Sequence, residues 1–490
     1  MIRIYIFAIV LAVAAVGTAA GQQGSSSSFE PGSISTPRTI NPAANSTTPS
    51  SLAGQQQNPF LGSVPTGTLS SEPVQLSLAD AIDRGLHFNL GIVEDQASLR
   101  QAQAQRLRAL SIMIPNVSAL VRQNLDQLST VAIGLRIPGV PRSTGQFSYQ
   151  ESYLAFSDTG LNLSAMYQYR ASRHAAEAQR FSLEDAGNVV ALAVGTAYLQ
   201  VQASEARVET ARAELAAAQE LEKQTHNRVQ SGLAADIEGL RATVQRQTSE
   251  QRLTVAAANL EKDKLTLARI IGLPSGQQFT TTTHAAYHSW TGGELEAALR
   301  QAREDRTDLK SAQATASAAQ LSKRSAQFER APGLSVNGYY GSIGQNPGNS
   351  VTTYSLVATV SLPIFTGGRI HAEIQDATAQ FDRRQSEYAD LLGRVDYEVR
   401  NAFTDLQAAD SAVRVAEKNS QLAQRTLEQA RDRFLNGVTN NLEVVEAQQD
   451  VAAANENYIS SLFAHNLAKL TLLRAMGVAQ KDANKYLGGN

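Results

Sequence analysis

Between Arg369 and Gly437 the chain contains no proline, and Val413, Ala416, Ser420, Ala423, Leu427, Ala430 and Phe434 recur at alternating spacings of three and four. Small and apolar residues at that spacing form the seam of a coiled coil. A second proline-free stretch, Tyr169 to Gly232, holds the same register at Val208, Ala211, Leu215 and Ala218 before it weakens at Glu222. At 1.5 Å per residue each arm is a helix of roughly 100 Å. Both arms end in matched breaks, Arg228 to Glu238 around Gly232 and Arg433 to Glu443 around Gly437. Glycine and asparagine accept the left-handed conformations of a tight reversal between antiparallel helices, so each break predicts a hairpin tip.

The match extends along the chain. Leu78 and Leu295, like Pro115 and Pro332, are 217 residues apart, whereas Gly232 and Gly437, like Gly272 and Gly477, are 205 apart. Fixed spacing with varied sequence marks two structural repeats, 73–274 and 294–478. Each opens with a helix; the first, capped by Ser77 with Asp80 three residues on, is expected to run with few breaks to Ile114 and stop at Pro115. The repeats differ in length in the segments that follow the prolines, and these are not helical. Tyr354, Leu356, Ala358, Val360 and Leu362 alternate with polar or small residues, a period of two that predicts a strand. The segments read as two β-hairpins, 116–165 and 333–365, giving four strands per chain. Residues 275–293, with the lone Trp290, form an inter-repeat linker, and 479–490 a C-terminal tail.

Composition narrows the class. The 490 residues are only 6% aromatic, which suits long helices burying narrow seams better than several compact cores, and a net charge of −2 gives nucleic acid no basic footprint. Arg3, an apolar run from Ile4 to Val16 and small residues up to Ala20 read as a signal peptide over 1–20. The Ser-, Gly-, Gln-, Asn- and Pro-rich residues 21–72 are expected to be a disordered leader. No later segment is apolar enough for a transmembrane helix, so membrane contact falls to strands. There is no cysteine, no HExxH, no GxSxG and no phosphate-binding loop in a supporting context, so the sequence points to no enzyme, metal or cofactor.

Four strands with exposed edges cannot close a barrel alone. Shared among three chains they make twelve, enough for a water-filled lumen, with the helices continuing the wall. Tyr149, Tyr153, Tyr167, Tyr169, Tyr339, Tyr340, Tyr354 and Phe365 suit the interfacial girdles of such a barrel. The order helix, strand pair, long helix, glycine tip, helix, used twice, together with Leu362-Pro363-Ile364-Phe365-Thr366-Gly367-Gly368-Arg369 after the fourth strand, resembles the TolC-type outer-membrane efflux protein family over about residues 74–478. The resemblance implies a mainly α chain with a small β part, in which a long α-helical barrel joins a shared transmembrane β-barrel. It implies a homotrimer set in outer-membrane lipid, with its helices in the periplasm, the linker as candidate equatorial region, and a periplasmic adaptor and inner-membrane transporter as partners in efflux or type I secretion. In the first repeat Ala165-Met166-Tyr167-Gln168-Tyr169-Arg170 replaces the Pro…Gly-Gly turn, leaving that strand-to-helix junction open.

The tips carry the candidate sites. Glu238, Glu443 and Glu446 would line the tunnel entrance; Glu443 and Glu446 share a helix face, and threefold symmetry would set Glu446 in a ring that favours cations. Acidic residues six and nine positions beyond the tip glycine line this entrance in the family. Phe434 and Thr439 stand where the family's best-known gate has Tyr and Arg, so the same latch is not expected. Arg228 and Arg433 are alternative partners for the glutamates, and the competing reading is solvated helix charge. Gly232, Leu233, Gly437, Val438 and Thr439 resemble the adaptor-docking motif; a plain hairpin turn explains the glycines equally. A secreted or periplasmic coiled-coil structural or adaptor protein is the alternative to a pore.

Overall fold

The computed structural model describes residues 58–490 apart from 133, 135–137, 140, 159, 284–285 and 488–490. The expected signal peptide and most of the leader lie outside the described residues. The first repeat comprises β1 (Val74–Leu76), α1 (Leu78–Phe88), α2 (Leu90–Ser111), β2 (Asn116–Asp126), β3 (Phe147–Asp158), α3 (Leu163–Gln230) and α4 (Asp236–Ile271). After it come β4 (Phe279–Thr281), α5 (Leu295–Asp305), α6 (Thr307–Phe328), β5 (Gly333–Gly344), β6 (Ser350–Ser361), α7 (Arg369–Leu435), α8 (Asn441–Ala475) and α9 (Ala479–Leu487). The long arms α3 and α7 have 68 and 67 residues. The coiled-coil seam is buried at Val413, Ala416, Ser420, Ala430 and Phe434, and in the first arm it runs through Leu221 and continues past Glu222 to Thr225.

Strands and helices share one lateral order. The large sheet is antiparallel, ordered β2-β3-β5-β6. Beneath it the helices pack in the sequence α2-α3-α6-α7, and toward the tips α4 takes the place of α2 and α8 that of α6. The chain is therefore a stave of four columns, two of them single long helices and two made of stacked shorter ones.

Stacking needs a joint, which the single helix expected from Ser77 to Ile114 did not anticipate. The helix breaks at Asn89, and its counterpart breaks at Arg306, again 217 residues on. Both residues are buried. Asn89 donates through Nδ2 to the Ile270 carbonyl (3.5 Å), and Arg306 through Nη1 to that of Ala475 (3.3 Å), so the side chain at each break meets the last turn of the helix stacked on it. A cation at a helix C-terminus also complements the dipole. Gly477 lies so close to this joint that a Cβ on it would sit 2.9 Å from Arg306 Cα, at φ +78°. Asp308 and Glu398 pair with the buried guanidinium and hold it charged. The main apolar core, including Tyr198, Leu267, Ile271, Leu470 and Leu473, surrounds these joints.

Three segments treated as irregular from sequence are packed. In the leader, Phe60 lies against Gly91, and Val64 and Thr66 donate to the Phe88 and Gly272 carbonyls (2.9 and 3.2 Å); low average hydrophobicity hides a single anchoring aromatic. The linker adds a strand: β4 pairs in parallel with β1, so six strands are present among the described residues, four of them in the large sheet. It then crosses α7 and α8, where Tyr287 donates to Asp410 (2.8 Å) and Lys469 donates to the His288 carbonyl. Burial pushes Lys469 down to about 8; burial and the neighbouring Lys469 push His465 down to about 4. The C-terminal tail is helix α9, which buries Ala479, Ala483 and Leu487 at four-residue spacing and stacks Tyr486 on Trp290 (centroids 4.8 Å).

The sheet has two chemically distinct faces. Register places Val121, Leu154, Tyr340, Tyr354, Leu356 and Val360 on one face, all more than half exposed. From Tyr354 to Val360 this apolar band rises about 20 Å, the scale of a hydrocarbon layer crossed by strands. The opposite face carries Ser118, Arg122, Asn124, Glu151, Asn337 and Thr353. The expected aromatic girdle is divided by register: Tyr340 and Tyr354 are on the apolar face, while Tyr149, Tyr153 and Tyr339 are on the polar one. Tyr167 stacks on Phe328 at the strand-to-helix junction (4.9 Å). There the Asn162 side chain caps α3 by accepting from the Ala165 N–H (3.0 Å), so the helix starts at Leu163, ahead of the start at Tyr169 that the sequence suggests.

Candidate functional site

Each hairpin tip is built by the same local closure. The Leu233 N–H bonds the Arg228 carbonyl (2.8 Å) and the Val438 N–H that of Arg433 (2.9 Å), with Gly232 at φ +72° and Gly437 at φ +71°. These glycines supply the left-handed residue that ends a helix this way. Nothing lies within 4 Å of where a Cβ would stand on either, so the turn conformation and not internal packing calls for glycine. Leu233 and Val438 project beside them, about 70% exposed, and Thr439 is half-buried. The structure thus leaves all five expected docking residues at open tips. The second tip is the better capped, since Asn440 accepts from the Leu442 N–H (3.0 Å) while Ala235 at the first offers no side-chain acceptor.

The acidic residues divide. Glu443, half-buried, faces Arg433 at 3.5 Å across the second hairpin, as one of the expected pairings required. Glu446 is exposed on the next turn of α8, free to project from the stave. Glu238 is half-buried, and its backbone carbonyl accepts from Asn441 Nδ2 (2.8 Å). Among the described residues Arg228 pairs with no glutamate. Its Nη1 donates to the Phe434 carbonyl (2.7 Å) and its guanidinium lies over the Phe434 ring, 4.5 Å from the centroid. The reason is local: Phe434 closes a small core with Leu221, Ala430, Val444 and Ala447, and its ring face and α7's terminal carbonyl together offer Arg228 a cation–π contact and an acceptor at once.

Two residues that tie the hairpins together were not singled out from sequence. In the sequence Phe434 stands out only as seam and as a departure from the gate's tyrosine, and Asn441 only as part of the turn. Both are fully buried, Phe434 under Arg228 and Asn441 against the first hairpin. A second asparagine directly after the capping Asn440 is the available signal. Deeper between the hairpins, Thr225 and Gln448 are buried with side-chain atoms lacking a hydrogen-bond partner. Among the described residues no cluster of acidic or histidine side chains is arranged to hold a metal ion, and no helix is long and apolar enough to cross a membrane. Chemically the site is a pair of charged, sparsely packed tips, suited to contact and charge selection.

Residues 298–478 match the family model of outer membrane efflux proteins, which covers the second repeat. Over 394 residues the chain is 23% identical to the pyoverdine export outer membrane protein OpmQ of Pseudomonas aeruginosa, covering 78% of this chain and 81% of that one. It is likewise 23% identical to the outer membrane protein TolC of Vibrio cholerae, covering 86% and 96%. The fold superposes on the Campylobacter jejuni CmeC outer membrane channel with a TM-score of 0.72 at 18% identity, covering 92% and 96% of the two chains. With its duplicated hairpins and two-faced sheet, the chain has the fold of the outer-membrane efflux channels it is similar to, and its second repeat matches the family of outer membrane efflux proteins.

Proposed function

We propose that three copies of this chain close edge to edge into a twelve-stranded barrel and a helical tunnel, forming the outer-membrane exit duct of a tripartite efflux or type I secretion system. The observation that carries this reading is the common column order. β2 and β6 are the free edges of the sheet, and α2 with α4 on one side and α7 on the other are the free edges of the helical layer beneath it. An antiparallel β6-to-β2 pairing between copies would satisfy both edges at once and remove the unpaired backbone that a membrane does not tolerate. The apolar band then faces lipid and the polar face lines water.

In this assembly Glu238, Glu443 and Glu446 gather at the tunnel entrance, and the open tips Gly232-Leu233 and Gly437-Val438-Thr439 meet a periplasmic adaptor that links the duct to an inner-membrane transporter. The absence of side chains packed on the tip glycines supports close approach of a partner backbone. A periplasmic coiled coil without a pore would leave the outward apolar band without a purpose. The expected result is a detergent-extracted trimer that gives discrete conductance steps in planar lipid. A monomer soluble in buffer with no conductance would overturn the reading. Replacing Gly232 and Gly437 together with Trp should abolish export while leaving trimers in the outer membrane; undiminished export would remove the docking role.

A further inference from the structure

The face of the sheet opposite the apolar band carries more aromatic surface than a water-filled wall needs. Phe147, Tyr149 and Tyr153 on β3 and Tyr339 on β5 all point to it. The Phe147 and Tyr149 rings are stacked with centroids 6.1 Å apart and planes 19° from parallel, and the Tyr153 and Tyr339 rings lie 5.1 Å apart across neighbouring strands. Gly341 stands directly opposite Tyr153, where any Cβ would overlap the base of the tyrosine side chain, so the strand is shaped to seat that ring. Between the two aromatic pairs, Arg122 faces Glu151 across the strands at 3.6 Å, and the charges beside the rings offset each other. None of the four rings contributes to the buried core or to the lipid-facing band.

We infer that Phe147, Tyr149, Tyr153 and Tyr339 form a transit stripe on the barrel wall, where planar aromatic solutes stack transiently as they leave. The inference rests on the trimeric-barrel reading, in which this face lines the lumen and three stripes surround it. Offset and edge-to-face contacts favour aromatic over aliphatic solutes of equal size. Their strength corresponds to about a threefold to tenfold longer residence per contact, short enough not to trap the solute.

The test uses the full chain reconstituted in planar bilayers, with N-acetyltyrosine amide or N-acetylleucine amide added from the barrel side. The aromatic amide should reduce the mean current at a concentration at least threefold lower than the aliphatic one. The triple variant Tyr149→Thr, Tyr153→Thr, Tyr339→Thr, which keeps strand-forming residues, should still conduct and should abolish that difference. Equal reduction by both amides in the unaltered protein overturns the inference, as does a preference that survives in a conducting triple variant. If the triple variant does not assemble, the comparison of the two amides on the unaltered protein still decides. Absence of any conductance removes the pore itself and with it the stripe, an outcome distinct from a pore without preference.

Discussion

Replacing Arg228 with Met separates two explanations of how the hairpins are held together at their tips. Arg228 bridges them through one charge-assisted hydrogen bond to the Phe434 carbonyl (2.7 Å) and one cation–π contact at 4.5 Å. A hydrogen bond to a charged group contributes about 1.5–3 kcal/mol and an exposed cation–π contact about 0.5–1. One guanidinium makes both and remains partly solvated, so the two do not simply add, and about 2 kcal/mol is a reasonable net loss. Met keeps the apolar stem over Phe434 and removes only the charge and the donors. A 2 kcal/mol loss raises the population of separated tips about thirtyfold. Arg433 and Glu443, by contrast, are 3.5 Å apart, with Arg433 exposed and Glu443 half-buried, a solvent-accessible pair worth about 0.2–1 kcal/mol. Hydrogen exchange at the backbone amides of the second tip reports that separation in the detergent-solubilised protein. Arg228→Met should accelerate exchange by more than tenfold and Glu443→Gln by less than fivefold. The reverse order would refute the assignment of Arg228 to Phe434 and return the latch to the acidic residues.

The buried Lys469 has a folded pKa near 8, below its ordinary value of 10.5, so the unfolded chain binds more protons between those values and stability rises as pH climbs through that window. Lys469→Met should flatten that rise in urea midpoints and stabilise the protein at pH 7 by about 1–3 kcal/mol. By the same sign His465, lowered to about 4 from 6.5, makes stability fall as pH drops from 6.5 toward 4, and His465→Leu should remove that dependence. Gly477→Ala should lower the melting temperature more than Gly437→Ala, since both carry positive φ but only Gly477 meets backbone within 3 Å. Equal shifts would show that conformation alone sets the cost.

The joints between stacked helices were not legible in the sequence, and the reason is physical. Asn89 and Arg306 share only a side-chain N–H donor, and neither is a helix breaker as proline is. Their common role appears only when the ends of α4 and α8 arrive with open carbonyls some 170–180 residues away in the chain. The tips show the same limit: spacing offers Arg228 to the acidic residues, yet it turns to Phe434, whose burial and ring face cannot be read from spacing. Composition also failed where one residue outweighs an average, as at Phe60 in the leader and in α9, whose three buried residues sit in a polar segment.

What the sequence determined by itself is what depends on near neighbours: long proline-free helices with a small-residue seam, glycine turns, alternating strands and their duplication at fixed intervals. These follow from helix and strand periods and from which residues tolerate left-handed backbone. The tertiary structure alone decided the column order, which tyrosines lie on the apolar face of the sheet and which on the polar one, and which cation joins the hairpins. A one-residue change of register would exchange the two faces of a strand, and contacts between distant segments depend on where the backbone brings them together.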